Sequence, residues 1–414
     1  MSKIKIKNFG PIKEGMLEND GWIDIKKVTV FIGNQGSGKS TVAKVFSTLS
    51  WLEKAINRGD IEKGKLSFHM MINFLKYHKI DNYFKKNTFI EYFGKKYHIL
   101  CDRSMPYPVV TEVESNSFVV PKIMYIPSER NFLSTIKDAF NVKGLPDNLF
   151  TFAEELRKAQ KESVQKIKLP LTGYSFEYDE NEDLLFIVGE DYRISLNEAA
   201  SGLQSFIPLF LVSKNLASLI SKSQDKVKTE MTVTQAVRFA NEIMTIMNDS
   251  SLPDKEKNKL TKSVKARYFN KCFINIVEEP EQNLFPTSQQ QMLNCLLEFN
   301  NMNKGNKLIM TTHSPYLINF LTLAVKAGNV YKTLIEKGFK SKDSEFLQTN
   351  EIVPVSSTIA SDDLAIYQLD EKKGTIKKLK DYRGLPSDEN YLNNGLEDSN
   401  ELFAQLQEIE KGWR

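Results

Sequence analysis

Short runs of β-branched and aromatic residues alternate with longer segments in which apolar residues recur every three or four positions. The runs at residues 28–32, 273–277 and 308–312 are typical of buried strands. The segment that follows residue 41 carries its apolar residues on one helical face and predicts a long helix. Strands that alternate with helices in this way predict an α/β fold around a central sheet.

Further elements are predicted outside these runs. Residues 174–194 predict a β-hairpin. Residues 131–170 predict an amphipathic arm, with Leu149, Phe152, Ala153 and Leu156 at helical intervals. A short amphipathic helix is predicted near the C-terminus, with the apolar residues Leu402, Phe403, Leu406 and Ile409. We expect this helix to cover the body of the protein or to contact a neighbouring subunit.

Two helices are predicted between residues 221 and 268. The apolar residues of the first fall on one face: Val233, Val237, Ala240, Met244 and Met247. The second is predicted to start at Asp254, directly after Pro253. Packing against the protein's own core is the favoured explanation of the apolar face, and a docking or oligomer surface is the alternative.

The composition predicts an ordinary globular protein. The chain has 414 residues, of which 41% are hydrophobic, and its net charge of +4 is too small to recruit nucleic acid by a global field. Three scattered cysteines predict reduced structural thiols. Neither an export signal nor a membrane-spanning segment is indicated, so we expect a cytoplasmic protein.

A glycine-rich loop joins the first of these strands to the long helix. It has the pattern Gly33-x-x-x-x-Gly38-Lys39-Ser40 of a P-loop, in the strand–loop–helix context that this motif needs. Backbone N–H groups and the helix N-terminus would bind phosphate, and Lys39 would reach the β- and γ-phosphates. We therefore expect ATP or GTP to be bound by Gly33, Asn34, Gln35, Gly36, Ser37, Gly38, Lys39, Ser40 and Thr41. The alternative is a glycine-rich turn that merely caps a helix.

Acidic residues follow the predicted strand at residues 273–277. Glu278 is expected to hold Mg²⁺ together with Ser40, and Glu279 to polarise the attacking water. The first position is more often Asp, so Glu278 is a departure from the usual pattern. The alternative is that these acidic residues simply follow the strand and face solvent.

A histidine follows the predicted strand at residues 308–312. His313 is in place to sense the γ-phosphate, and we count it with Lys39 and Glu279 as catalytic. His69, His78 and His98 show no metal-ligand spacing and are interpreted as core or surface residues.

Residues 200–204, Ala-Ser-Gly-Leu-Gln, open an apolar helix and resemble the LSGGQ signature of ABC-type ATPases. Ser201 and Gly202 would contact the phosphates of a nucleotide. The four motifs stand in the order that ABC ATPases use. The resemblance implies an ABC-type P-loop ATPase head with a twisted mixed sheet, helical insertions and a small C-terminal extension.

In detail the chain resembles the OLD-like, AAA-type branch of ABC ATPases, and especially the ATPase subunits of anti-phage defence systems such as PARIS and Septu. The runs that carry this resemblance are KNFGPI, YIPSER, EEPEQNLFP and TTHSPYLI. It implies a head-to-tail homodimer or larger homo-oligomer, a separate nuclease effector of TOPRIM type, and a phage-encoded trigger. Binding of DNA stays open, and no membrane partner is expected.

One departure concerns the glutamine that ABC ATPases carry between the P-loop and the signature, since no Gln lies between Gln35 and Gln160. Ser128, Glu129 and Arg130 are its expected substitutes, with a structural salt bridge as the alternative. A nuclease centre in addition to the ATP site is not expected. After His313 the chain lacks the glutamate followed by an Asp-x-Asp pair that a TOPRIM nuclease needs, and Asp362 and Asp363 are isolated.

Two other functions stay open. A DNA-repair ATPase of RecF type would bind duplex DNA directly, and a transporter motor subunit is the least favoured alternative. The motifs divide the chain into six segments, at residues 1–50, 51–120, 121–220, 221–268, 269–330 and 331–414.

Overall fold

The computed structural model describes residues 2–113, 118–136, 141–163, 166–171, 173–222 and 231–411. A seven-stranded mixed sheet forms the centre of these residues. Its strands, in spatial order, are β2 (Gly15–Met16), β16 (Thr375–Lys378), β15 (Leu364–Asp370), β4 (Val28–Gly33), β14 (Lys307–Thr312), β13 (Cys272–Glu278) and β8 (Pro121–Ile126). The five strands from β15 to β8 run parallel, so their carboxyl ends meet at one edge.

Both faces of this sheet are covered. Along β4, Val28, Val30 and Ile32 point into one core and Phe31 points into the other, as the period of a strand requires. The first core is closed by the helices α4 (Asp147–Glu162), α5 (Ser201–Lys222), α8 (Pro286–Asn301) and α9 (Pro315–Glu336). The second core contains α1 (Lys39–Arg58). Burial on both faces explains why the predicted strands are continuously apolar.

An antiparallel five-stranded sheet packs over α1. Its order is β3 (Ile23–Ile25), β1 (Ser2–Phe9), β5 (Phe84–Phe93), β6 (Tyr97–Asp102) and β7 (Val109–Glu112). Helix α2 (Phe68–Lys76) packs against the same core. The segment 51–120, expected as a variable insertion, therefore contributes three strands to a sheet that begins with the N-terminal strand.

The predicted hairpin is confirmed as β10 (Ser175–Asp179) and β11 (Leu184–Val188). β9 (Ile167–Lys168) and β12 (Arg193–Ser195) complete a four-stranded sheet that leads into α5. The helical spacing predicted for Leu149, Phe152, Ala153 and Leu156 is confirmed by α4, but this helix does not form an arm. Leu149, Phe152 and Leu156 of α4 are buried, because their apolar face packs into the first core beside α5. The short helix α3 (Phe132–Thr135) precedes α4.

Both helices predicted between residues 221 and 268 are confirmed, as α6 (Val233–Asn248) and α7 (Asp254–Tyr268). They pack together through the ring of Phe239, which contacts Tyr268 and Phe269. The expectation that the apolar stripe of α6 packs on the protein's core is wrong, since Val233, Val237, Ala240, Met244 and Met247 are all exposed. Phe239, on the opposite face, takes the inward position.

The C-terminal segment is more than an extension. After α10 (Ser344–Ile352) it supplies β15, which lies between β4 and β16 in the main sheet. β17 (Asp381–Tyr382) and β18 (Leu385–Pro386) form a small ribbon, and the chain continues into α11 (Tyr391–Lys411). The predicted boundaries after residues 50, 220 and 330 lie inside the helices α1, α5 and α9. The division into six segments stays a prediction.

Among the described residues, α5 alone has the length and hydropathy that would suffice to cross a membrane. Phe206, Ile207 and Leu209 of this helix are buried against α4 and α8, as in a core helix. The three cysteines Cys101, Cys272 and Cys295 are free thiols, as predicted, and burial raises the pKa of Cys272 to about 11.

Candidate active site

The glycine-rich loop connects the carboxyl end of β4 to α1. Gly33 has φ = 147°, and a Cβ there would lie 2.4 Å from the carbonyl oxygen of Leu369 on β15. Gly38 precedes the helix with φ = 100°. Only glycine adopts these conformations at low cost, so the loop curls inward at the amino end of α1.

Lys39 is the first residue of α1, and its ammonium group lies inside the curl of the loop. Nζ donates to the carbonyl oxygens of Gly33 and Asn34, both at 2.9 Å. Burial lowers the pKa of Lys39 to about 8, although Glu279, Glu281 and Glu278 oppose this shift. The hydroxyl of Ser37 is also buried and has no hydrogen-bond partner among the described residues. Phosphate oxygens fit this environment, because they accept charge-assisted hydrogen bonds more strongly than carbonyls do.

Glu278 ends β13 and is buried. Its Oε2 accepts a hydrogen bond from the backbone N–H of Ser128 at 3.3 Å, and its Oε1 lies 3.7 Å from Nζ of Lys44. Oε1 has no hydrogen-bond partner in the described part of the chain. A buried carboxylate oxygen without a donor fits a cation, so the predicted metal ligand is chemically suitable.

No group of three or more His, Cys, Asp or Glu side chains among the described residues is arranged to hold a metal ion. Magnesium prefers one or two carboxylates together with phosphate oxygens and water. The roles predicted for Glu278 and Ser40 as metal ligands stay predictions.

Glu279 and His313 come together from the ends of β13 and β14, the neighbouring strand. Oε1 of Glu279 lies 3.6 Å from Nε2 of His313. Burial, followed by the charge of Glu278, raises the pKa of Glu279. Burial, followed by the charge of Lys39, lowers the pKa of His313. Because its pKa is lowered, the imidazole is neutral at pH 7, and Glu279 is a stronger proton acceptor than an ordinary glutamate.

Glu281 is a site residue that the sequence reasoning missed. Its carboxylate Oε1 accepts from the hydroxyl of Thr312 at 2.8 Å and from the backbone N–H of His313 at 2.7 Å. The hydroxyl of Ser314 extends the network by donating to Gln289 at 2.6 Å. Glu281 thus holds the loop that carries His313. Its position two residues after Glu279 was the feature of the sequence that could have identified it as a site residue.

Arg130 connects the acidic strand end to the signature helix. Its guanidinium donates to the carbonyl oxygens of Glu278 at 2.7 Å, Glu279 at 2.6 Å and Ser205 at 3.2 Å. A fourth bond, also 3.2 Å long, goes to the carbonyl of Pro127. Arg130 is completely buried, so the expectation that it replaces the missing glutamine beside the nucleotide is wrong.

The other two expected substitutes differ from Arg130 in their surroundings. Ser128 lies beside the candidate metal ligand Glu278 through its backbone N–H, whereas the side chain of Glu129 is exposed. The alternative prediction was a structural salt bridge. Arg130 differs from this as well, because it donates to backbone carbonyls rather than to carboxylates.

Ser201 and Gly202 begin α5, as predicted. A Cβ at Gly202 would lie 2.8 Å from the carbonyl oxygen of Asn283, so the backbones approach closely here. Both residues line a cavity of about 680 Å³ together with Leu284, and no residue of the glycine-rich loop lines it. In this cavity Ser201 and Gly202 face residues 283–291 rather than the glycine-rich loop.

The remaining histidines lie in ordinary surroundings. His78 is buried, and burial lowers its pKa to about 3. His98 lies 2.9 Å from Glu91, and His69 is hydrogen-bonded to Asn73.

Comparison with known proteins bears on this site. Residues 254–318 match the family model described as an AAA ATPase domain. That segment is similar to an ATPase. It contains α7, the acidic end of β13 and the His313 loop, and thus implies nucleotide binding. No curated protein matches the chain.

Solved structures that resemble the chain include two SMC heads. The SMC head domain from Thermotoga maritima has a TM-score of 0.36 at 10% identity, over 92% of this chain and 98% of that chain. The Smc head with an extended coiled coil, bound to the C-terminal domain of ScpA, is derived from Pyrococcus furiosus. It has a TM-score of 0.35 at 9% identity, over 98% of this chain and 100% of that chain. Both TM-scores are below 0.5, so the case for an ATPase depends on the geometry of the site and on the family model.

The α/β class is confirmed by the parallel strands and the helices that cover them. The glycine-rich loop, the signature helix, the acidic strand end and the His313 loop surround one mixed sheet. The assignment of this fold to the ABC-type P-loop ATPase heads stays a prediction.

Proposed function

We propose that this chain binds ATP and hydrolyses it at the carboxyl edge of the main sheet. The observation that carries the proposal is the convergence of Lys39, Glu279 and His313 from three neighbouring parallel strand ends. Lys39 and the loop from Gly33 to Thr41 would bind the phosphates. Ser40 and Glu278 would hold Mg²⁺, which supplies charge neutralisation at the phosphates.

The chain's own residues account for proton transfer. Glu279 has a raised pKa and would accept the proton of the attacking water. His313 is 3.6 Å from that carboxylate, and its neutral imidazole would orient the acceptor. Glu281 positions His313 through the backbone and need not contact the nucleotide.

The proposed active assembly is a head-to-tail dimer in which each copy completes the other's site. The support is that Ser201 and Gly202 line a cavity to which no residue of the glycine-rich loop contributes. The N-terminus of the 22-residue helix α5 would supply the second half of the phosphate site.

Mixing two inactive variants tests the dimer. Lys39→Ala removes the phosphate-binding cation, and Ser201→Arg blocks the opposite half. In a mixed dimer one of the two sites combines the intact halves, so an equal mixture should recover about a quarter of the wild-type turnover. The controls are each variant alone, Lys39→Ala mixed with Lys39→Met, and Ser201→Arg mixed with Gly202→Arg. In these mixtures both proteins carry the defect in the same half of the site, so no intact site can form. No recovery in the mixture would contradict a shared site.

The proposed biological role is the nucleotide-dependent control of a separate effector nuclease in anti-phage defence, triggered by a phage product. This rests on the resemblance of KNFGPI, YIPSER, EEPEQNLFP and TTHSPYLI to the ATPase subunits of such systems. Co-expression with the protein encoded next to it tests the role. Retention of that protein should differ between Lys39→Ala and Glu279→Gln, and equal retention in both would argue against control by ATP.

Direct action on DNA is the second candidate, because α7 exposes Lys255, Lys259, Lys262 and Lys265 on one helix. It predicts that duplex DNA stimulates hydrolysis and that this stimulation falls steeply with salt. Hydrolysis that DNA leaves unchanged at low salt would exclude it.

A further inference from the structure

The apolar stripe of α6 has the spacing of a coiled-coil seam. Val233, Val237, Ala240, Met244 and Met247 follow one another at intervals of four, three, four and three residues. Such intervals keep side chains on one line of a helix and suit packing against a second helix. The four larger members are between 56 and 82% exposed. Helix α6 therefore presents a complete seam on which none of the described residues packs.

Helix α11 has a matching seam. Leu402, Leu406 and Ile409 follow at intervals of four and three residues, and Phe403 lies beside them. All of residues 400–411 are exposed. Helices in proteins draw most of their stability from packing of an apolar face, so a partner for the apolar side of α11 would stabilise it.

The charges around the two seams are opposite. Helix α7, which packs beside α6, carries six Lys or Arg and two acidic residues. Helix α11 carries five acidic residues and a single basic one. Opposite charges beside an apolar seam favour pairing of these surfaces and disfavour pairing of either with itself. The charge of α7 by itself would suit DNA, but DNA offers no partner for the apolar seam.

The two surfaces start at opposite ends of the protein. Gln235 and Arg238 of α6 bind Asp60, just beyond the far end of α1. α11 begins where the backbone N–H of Tyr391 donates to Gln368, next to the P-loop end of the sheet. The 20-residue helix α1 spans about 30 Å between these ends. Both seams are exposed, so they do not pack on each other within one chain and each is available to a second copy.

We infer that α11 of one copy docks on the α6–α7 surface of a second copy. This surface consists of the α6 seam together with Lys255, Lys259, Lys262 and Lys265 of α7. The contact is heterologous and would join copies head to tail. It uses neither the P-loop nor Ser201, so it is independent of the proposed ATP-dependent dimer.

Cysteine cross-linking locates the contact. The native cysteines are buried, so a thiol placed on either seam is the accessible one. Two differently tagged proteins, Met244→Cys and Leu406→Cys, should form a mixed disulfide under mild oxidation when combined without nucleotide. Thr245→Cys, on the same helix but off the seam, should not form it with Leu406→Cys.

Each cross-linking outcome either supports the inference or overturns it. Mixed product that exceeds the Thr245→Cys control supports the inference. Exclusive Met244→Cys homodimers, a disulfide confined to one chain in the double variant, or no product would each overturn it.

Charge reversal tests the chemistry of the contact. Lys259→Glu with Lys262→Glu, or Glu401→Lys with Glu408→Lys, should each weaken self-association in sedimentation velocity about tenfold. A chain with all four changes should recover it. Lack of recovery overturns the pairing of α11 with α7. Loss of binding to a short DNA duplex in Lys259→Glu with Lys262→Glu, with self-association unchanged, assigns α7 to DNA instead.

Discussion

The carboxylate of Glu281 accepts a hydrogen bond from the backbone N–H of His313 at 2.7 Å. The same carboxylate oxygen accepts from Thr312, so one side chain fixes both residues at the end of β14. His313 therefore faces Glu279 because of a residue that binds its backbone N–H rather than its imidazole. Glu281 acts as a positioning residue.

Glu281→Ala should lower kcat about 10- to 100-fold, because a displaced His313 no longer orients Glu279. ATP affinity should change much less than kcat, since no hydrogen bond joins Glu281 to the glycine-rich loop among the described residues and its effect on Lys39 is through charge alone. Steady-state hydrolysis and nucleotide titration measure the two effects. Glu281→Gln keeps an acceptor oxygen and should retain most of the activity. Weaker ATP binding with unchanged kcat would contradict this role.

Glu281 also predicts a pH effect on stability. Burial raises its pKa above the ordinary value of 4.5. Between that value and the raised pKa the folded state binds more protons than the unfolded state, so stability falls as pH rises. Urea unfolding should show this decline in the wild type and a flatter profile in Glu281→Gln. Glu336→Gln, exposed on α9, is the control, and an equally steep decline in Glu281→Gln would refute the assignment.

Arg130→Ala should lower the free energy of unfolding by about 3–5 kcal/mol, because four carbonyl groups lose their buried donor. The free energy of unfolding of Arg130→Lys should lie between those of the wild type and Arg130→Ala, since an ammonium group cannot reach all of the same acceptors. Lys326→Ala, on an exposed position of α9, should change it by less than about 0.5 kcal/mol. Chemical denaturation measures all three, and a loss below about 1 kcal/mol in Arg130→Ala would contradict the contact network.

ATP affinity should fall as pH rises above about 8. Burial lowers the pKa of Lys39 to about 8, so the free protein must take up a proton to bind phosphate above that pH. Below it the ammonium is already charged, and affinity should be insensitive to this group. Binding titrations between pH 7 and pH 9 test the slope, with about tenfold loss per pH unit as the limit. Lys39→Arg stays charged and should show no such loss.

The local pattern of the sequence determined the elements that carry the chemistry. A glycine-rich loop between an apolar strand and an apolar-faced helix is contiguous, and so are Glu278–Glu279 after β13 and His313 after β14. Each depends on neighbours within a few residues, which is why their positions could be predicted. Their meeting also followed, since parallel strands place their carboxyl ends at one edge.

Only the tertiary structure decided which side chains hold these pieces together. Arg130 and Glu281 act through backbone groups far along the chain, and nothing in their local sequence states which carbonyl or N–H they reach. The place of β15 beside β4 depends on a pairing between residues more than 300 positions apart. Whether the stripe of α6 is core or surface also depended on what packs against it, because helical spacing shows that a face is apolar but not what covers it.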